Sequence, residues 1–184
     1  MLFYERLKDS LSGSVFETPR LRIREFRDSD EEGLFTLFHD DYTMSMDGDV
    51  PILEKNGEFY RRIDLIRSKS LIWFFLENKA NGDFIGFIML EPVSDPEEKA
   101  GTVGYSLTAA YQGQGYAKEA LLSLFEVWKA AGMEHVFANI WERNLPSQKL
   151  VKRLGFHEYG RTCNAHRDPK TGERSANIHF RTDL

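Results

Sequence analysis

The spacing of apolar residues along the chain predicts strands that alternate with helices. In the first half, the predicted elements come in this order: a strand at 21–26, helices at 27–40 and 54–69 with a loop at 42–52 between them, and two strands within 70–93. Ser29 or Asp30 can cap the first helix, and Asn81-Gly82 marks the turn between the last two strands. Residues 1–16 precede this pattern and are predicted to form an extension with a helical turn and a loop.

The second half continues the alternation, with a strand at 101–107, a helix at 115–130, a strand at 135–141, a helix at 144–156 and a hairpin within 161–182. Gly132 and Gly155 are suited to end the two helices, because glycine readily takes the left-handed conformation found there. We therefore predict the order β-α-α-β-β-β-α-β-α-β-β. This is an α/β (α+β) arrangement, a mixed sheet with helices on its faces, in a single domain that spans residues 17–184.

Composition narrows the class of protein. The chain has 184 residues, of which 41% are hydrophobic, enough for one domain with a sizeable core. Its net charge of −5 argues against direct nucleic-acid binding and is compatible with a cationic partner such as an amine. The apolar run at 71–76 is too short to span a bilayer, so no membrane association is expected. Cys163 is the only cysteine, which excludes an internal disulfide, and no signal peptide is evident; we expect a cytoplasmic protein.

Two glycines and two glutamines stand where the strand at 101–107 leads into a helix, in the segment Gln112-Gly113-Gln114-Gly115-Tyr116-Ala117. Glycine there lets a ligand approach the backbone, and a helix N-terminus attracts phosphate. A P-loop does not fit, because Lys118 falls too late and no serine or threonine follows it. A dinucleotide fingerprint does not fit either, because lysine occupies its third small position.

Three motifs, in order along the chain, resemble one family. The pattern Q-x-x-G-x-A at 112–117 resembles the acyl-CoA signature of the GNAT superfamily of N-acetyltransferases. The segment "NLPSQKLVKRLGF" at 144–156 resembles the N-x-x-S…K-x-G-F segment of its ribosomal-protein N-terminal acetyltransferase branch, and "ETPRLRIREFRDSD" at 17–30 resembles the opening of that branch. Together the three matches cover most of residues 17–184.

The resemblance implies the GNAT fold, with about 6–7 strands in a mixed sheet, helices on both faces, and parallel strands at 101–107 and 135–141 that splay apart. Acetyl-CoA would be the acyl donor. Its pyrophosphate would lie against backbone N–H groups of the loop 112–117, and its pantetheine arm would pair with Tyr105, Ser106 and Leu107. Asn144 would bind the arm or hold the loop, and it could also be a plain helix N-cap.

The resemblance also implies direct transfer of the acetyl group to a primary amine within a ternary complex. Many family members carry a tyrosine acid seven residues after the asparagine, but Val151 occupies that position here. The resembled branch uses the serine of N-x-x-S, so Ser147 would protonate the departing thiolate; alternatively it satisfies backbone N–H groups in the first helical turn.

A general base is harder to identify from the sequence. By the family's spacing it would be His166, whose ordinary pKa is close to neutrality; a surface histidine on a hairpin is the alternative. Glu158 and Glu25 are fallback carboxylates. Cys163 lies in a strand pattern with no adjacent base, so we expect a buried core thiol and not a nucleophile.

The acceptor and the partners are the least determined part. In the family the region 39–52 forms one wall of the acceptor cleft, and its acids could steer an ammonium group or form a solvated loop: Asp40, Asp41, Asp47 and Asp49. A protein N-terminus, a polyamine, an aminoglycoside and an amino-acid-like amine all remain open as acceptors. A non-catalytic acyl-CoA-binding module is the alternative function, and the chain is expected to be a monomer or a homodimer.

The five histidines and the single cysteine show no metal-ligand spacing, so no metal is expected. Treatment with EDTA should therefore leave acetyl transfer at its untreated rate. The check is a turnover assay before and after chelation; loss of activity that added divalent metal restores would contradict the expectation.

Overall fold

A single eight-stranded sheet runs through the computed structural model, which describes residues 2–46, 48–95 and 97–184 and, for His166, the backbone alone. Its spatial order is β1-β2-β3-β4-β5-β6-β8-β7. The strands are β1 Phe16–Glu17, β2 Leu21–Arg24, β3 Ile72–Asn78, β4 Phe84–Pro92, β5 Ala100–Leu107, β6 His135–Trp141, β7 His157–Arg167 and β8 Arg174–Asp183. All neighbouring pairs are antiparallel except β5 and β6. The mixed sheet is confirmed, and the two-residue β1 adds one strand to the six or seven expected.

In the part of the chain that the structure describes, six α-helices cover the sheet: α1 Phe3–Leu11, α2 Glu31–His39, α3 Asp41–Met46, α4 Gly57–Arg67, α5 Tyr116–Ala130 and α6 Leu145–Arg153. Short 3₁₀ turns at Asp28–Asp30 and Ala109–Tyr111 precede α2 and α5. Asn56 caps α4 through its side chain, and Gly132 and Gly155 follow α5 and α6 with φ of +90° and +92°. The helices predicted from apolar spacing are therefore present close to their expected bounds.

The core is divided between the two faces of the sheet because successive strand residues point to opposite sides. On β3, Phe74 belongs to one buried cluster, with α1, α5 and α6, whereas Phe75 belongs to the other, with α2, α3 and α4. The first cluster includes the fully buried Trp128, and the second includes the fully buried Phe59. Helices on both faces are thus confirmed. Among the described residues, no helix is long and apolar enough to cross a membrane.

The N-terminal extension is more regular than the sequence indicated. It forms the nine-residue α1, whose side chains Phe3, Tyr4, Leu7 and Leu11 are buried in the first cluster. The Tyr4 hydroxyl donates to the carbonyl of Leu90 on β4 and accepts from the Ile72 amide on β3 at 2.9 Å. Burial raises the pKa of Tyr4, so its hydroxyl stays protonated and can bridge the two strands.

Two other expectations were wrong. The segment 42–52, expected to be a loop, begins inside α3, where the Asp40 carboxylate accepts from the Thr43 amide at 2.7 Å. Cys163 is exposed and not a core thiol. It lies on β7, the last strand of the sheet, at an irregularity between Thr162 and His166, and an edge strand leaves such positions open to solvent.

A buried ion cluster ties β2 to the start of α2 and to β3. The guanidinium of Arg24 makes two 2.8 Å hydrogen bonds to Asp30 and one of 2.9 Å to Glu77. Asp30 also accepts from the Arg27 amide at 2.8 Å, so its carboxylate closes the 3₁₀ turn and does not cap α2 through its side chain. Burial acts to raise the pKa of Glu77, but the hydrogen bonds from Arg24 and Arg22 outweigh it and lower the pKa.

Replacing Asp30 by alanine should destabilise the fold by about 3–5 kcal/mol, because it deprives the buried Arg24 guanidinium of one of its two carboxylate partners. Glu32→Ala on α2 is the matched control: it removes a side chain that is 81% exposed and paired with Lys55, and should cost less than about 1 kcal/mol. Urea unfolding followed by circular dichroism measures both. Equal losses in the two variants would contradict the role assigned to the buried cluster.

Candidate active site

The two parallel strands separate after a short ladder. β5 and β6 pair only at Ala100–His135, Gly101–Val136 and Thr102–Phe137, although both strands continue beyond these residues. β4 follows β5 to Leu107, and β8 follows β6 to Trp141, so each strand keeps its outer partner while the inner edges part. The splayed parallel strands expected from the sequence are therefore present.

A cleft of about 400 Å³ opens between the end of β5, the start of α5, α6 and α3. Of the residues predicted to contact coenzyme A, these line it: Tyr105, Ser106, Leu107, Gln112, Gly113, Gly115, Tyr116, Ala117, Asn144 and Ser147. Gln114 does not; its side-chain amide donates to the Ala110 carbonyl at 2.7 Å, outside the cleft. The predicted coenzyme A contacts other than Gln114 thus converge on one place.

The loop before α5 needs its glycines for conformational reasons. Gly113 and Gly115 have φ of +72° and +83°, in the left-handed region that a side chain disfavours. Gly115 is the N-cap of α5 and provides no side chain to satisfy the first amides of that helix. Those amides and the positive end of the helix dipole therefore suit an anionic group in the cleft.

The glutamine of this loop holds it against α3. The Gln112 amide nitrogen donates to the Leu107 carbonyl at 2.8 Å and to the hydroxyl of the buried Thr43 at 2.9 Å. Thr43 belongs to the segment 39–52, for which the family resemblance implied a place in one wall of the acceptor cleft. The glycine loop and that segment are thus joined by one side chain.

Arg20 and Glu119 fasten the other side of the loop, a contact that sequence reasoning missed. The Arg20 guanidinium lies 4.1 Å from the Tyr116 ring centroid, donates to Glu119 at 2.6 Å and donates to the Gln114 carbonyl at 3.1 Å. Glu119 also accepts from the Thr18 hydroxyl at 2.5 Å. Burial acts to raise the pKa of Glu119, but hydrogen bonds from Thr18 and Arg20 lower it overall, so the carboxylate stays charged. Thr18 and Arg20 belong to the motif "ETPRLRIREF", and this motif was the sequence signal that could have pointed to the contact with Glu119.

The side chains of α6 that face the cleft are positioned by its N-terminus. Asn144 caps the helix by accepting from the Ser147 amide at 3.1 Å, and its own amide nitrogen donates to the Met46 carbonyl at 3.0 Å. The Ser147 hydroxyl lies 2.6 Å from the Tyr105 hydroxyl, which is also 3.5 Å from the Ser147 carbonyl. Asn144 therefore fills the capping role considered for it, while the Ser147 hydroxyl is directed to β5.

The candidate bases are dispersed. The His166 backbone pairs with Ser175 in the terminal hairpin, and its side chain lies outside the part of the chain that the structure describes. Glu158 is exposed, and its hydrogen bond from Arg161 at 2.6 Å lowers its pKa. Glu25 accepts from the Gly13 amide and borders a second, smaller cleft of about 230 Å³ beside α1. Neither of these carboxylates lines the main cleft.

Charge in the main cleft is basic. Lys118, Lys149 and Arg153 line it, and among its described lining residues there is no acid. The acids of the segment 39–52 have local partners: Asp40 caps α3, Asp41 pairs with Lys170 and Asp49 pairs with Arg62, while Asp47 lies outside the described residues. The cleft thus suits a ligand that carries several negative charges, such as a nucleotide pyrophosphate.

Comparison with known protein families identifies the family to which this architecture belongs. The model of the acetyltransferase (GNAT) domain matches residues 20–157, and the chain therefore belongs to the GNAT family. Membership makes it an acetyl-CoA-dependent acyltransferase. Among curated relatives, the uncharacterized N-acetyltransferase YoaA of Bacillus subtilis is 23% identical over 154 residues, which cover 79% of this chain and 84% of that protein.

Solved structures show the same fold. The ribosomal-protein-S5-alanine acetyltransferase of Vibrio fischeri superposes with a TM-score of 0.71 at 20% identity, covering 92% of this chain and 96% of that one. The spermidine N-acetyltransferase of Vibrio cholerae, solved with CoA and spermine, gives a TM-score of 0.76 at 14% identity, covering 90% and 96%. At these sequence identities the likeness shows a shared fold.

Gly115→Val should abolish the rise in melting temperature that acetyl-CoA causes in the wild type, because a branched side chain would stand where a phosphate approaches the backbone. Gly82→Val is the matched control: its φ is +76° and a Cβ there meets nothing within 4 Å, so it carries similar strain outside the cleft. Thermal unfolding with and without acetyl-CoA gives the result. A normal shift in folded Gly115→Val would contradict the loop assignment.

Proposed function

We propose that the protein transfers the acetyl group of acetyl-CoA to a primary amine, by direct attack within a ternary complex. The observation that carries this proposal is the convergence on one cleft of the glycine loop, three basic side chains and the Ser147 hydroxyl. The loop and the basic side chains are suited to the donor, and the hydroxyl is suited to its leaving group.

Acetyl-CoA would lie along the cleft, with its phosphates at the glycine loop and its thioester at Ser147. Its pyrophosphate would be held by backbone amides of the loop 112–117 and by the N-terminus of α5, with Lys118 and Arg153 balancing its charge. The pantetheine arm would run past Tyr105, Ser106 and Leu107 on β5, which brings the thioester towards Ser147.

The chemical step needs one proton removed and one supplied. A neutral amine nitrogen attacks the thioester carbonyl carbon, the carbon–sulfur bond breaks, and the electron pair leaves with sulfur. Ser147 would donate a proton to that sulfur. The proton lost by the amine would pass to water or to His166, which occupies the position of the base in the family's spacing.

The acceptor class is tested with a panel because neighbours of this fold differ in what they modify. The panel contains short peptides with free N-termini, including one that begins with alanine, as well as spermidine and small amino acids. Release of free CoA is followed with a thiol reagent, and the acetylated product by mass spectrometry. We expect stoichiometric acetyl-amine product with at least one acceptor. Binding of acetyl-CoA without product from any acceptor would contradict the proposal and support the non-catalytic module.

Ser147→Ala should lower kcat at the low end of the about 10²–10⁴-fold range of a positioned proton donor, because water can replace part of its role. Its affinity for acetyl-CoA should stay close to wild type in calorimetry. Asn144→Ala should mainly weaken that affinity, because it removes the cap of α6 and the bond to Met46. Ser123→Ala, on α5 outside the cleft, is the control. Wild-type kcat in Ser147→Ala would return the serine to a purely structural role.

A further inference from the structure

We propose that Tyr105 is a positioning residue that supplies, through Ser147, the proton taken up by the departing thiolate. This inference rests on the proposed function and assigns to the Tyr105 side chain a role distinct from that of its backbone.

The two hydroxyls meet because of how β5 and α6 are arranged. Tyr105 lies beyond the last residue of β5 that pairs with β6, and Ser147 lies in the first turn of α6. Their oxygens are 2.6 Å apart, a normal distance for a hydrogen bond between hydroxyls, and both residues line the cleft. Tyr105 is half-buried, with its side chain packed against the first buried cluster, so the position of its hydroxyl is fixed by packing.

Acid strength favours the phenol as the source of the proton. An aliphatic alcohol is too weak an acid to appear among the ordinary titrating side chains, whereas a phenol has a pKa of about 10 and a thiol one of about 8.5. Transfer of a proton from a phenol to a thiolate is therefore unfavourable by only about 1.5 pKa units at these reference values. A serine between the two can donate one proton and accept another at the same time, because a hydroxyl is both donor and acceptor.

The step balances as follows. As the carbon–sulfur bond breaks, sulfur takes the Ser147 proton and Ser147 Oγ takes the Tyr105 proton. The products are CoA thiol, neutral Ser147 and a Tyr105 phenolate. The proton released by the acceptor nitrogen, carried by water, restores the phenol, so the cycle needs no further reactant.

The other tyrosines of the cleft have different partners. The Tyr111 hydroxyl donates to Asp83 at 2.5 Å, and the Tyr116 ring lies under the Arg20 guanidinium. Tyr42 is exposed on α3. The contact with Ser147 thus distinguishes Tyr105 from its neighbours in the same cleft.

The test is a double-mutant cycle with wild type, Tyr105→Phe, Ser147→Ala and the double variant. Phenylalanine keeps the packed ring, and Tyr60→Phe on α4, away from the cleft, is the matched control. Tyr105→Phe should lower kcat by about 10–100-fold and change KM for acetyl-CoA by less than about twofold. The double variant should be no slower than Ser147→Ala within about twofold, because the phenol acts only through the serine. The solvent deuterium isotope effect on kcat should fall in Tyr105→Phe.

Each of the other outcomes contradicts a defined part of this proposal. Wild-type kcat in Tyr105→Phe, with Ser147→Ala slow, refutes this inference and leaves the proposed function intact. Losses that multiply in the double variant refute a relay. A slow Tyr105→Phe with a normal Ser147→Ala refutes both the relay and the role proposed for the serine. Equal melting temperatures for Tyr105→Phe and wild type verify that a loss of turnover is not a loss of folding.

Discussion

The site depends on how few residues join β5 to β6. Three residue pairs hold these parallel strands together, and beyond Thr102–Phe137 each strand is held by its outer neighbour alone. A sheet that closed this gap would bury the edge along which we propose that the donor lies. Because α5 is the next α-helix after β5, the N-terminus of α5 opens on the same gap, as expected at the carboxyl ends of strands in α/β sheets. One interruption of pairing thus sets the position of both the groove and the helix end.

The walls of the cleft come from distant parts of the chain and are held by a few polar contacts. Gln112 joins the glycine loop to Thr43 on α3, and Asn144 joins the start of α6 to Met46, the last residue of α3. Arg20 fastens the loop from the β2 side. With six residues, α3 has too few internal hydrogen bonds to be stable alone, so these contacts and its buried Met44 keep it in place. Through these contacts α3 joins the glycine loop to the start of α6.

Local patterns carried much of the fold and part of the site. Local signals were enough to predict the bounds of α5 and α6 and the places of Gly115 and Asn144 at their N-termini. Glycine conformation, capping and helical period depend only on residues that are near in sequence. The Tyr105–Ser147 contact joins residues 42 positions apart, and Thr18–Glu119 joins residues 101 apart; no periodicity shows which side chains meet across layers. Alternation in β7 suggested a buried Cys163, but alternation cannot tell an edge strand from a central one. α3 was missed because six residues are too few for a helical period.

Hydrogen exchange followed by mass spectrometry tests most directly whether acyl-CoA occupies the gap between the separated strands. With saturating CoA, we predict slower exchange in peptides that cover 103–107 and 112–119, and unchanged exchange in peptides of the second cleft, such as 8–14 and 66–72. Protection confined to the second cleft, or no protection at 112–119 despite binding measured by calorimetry, would contradict the account.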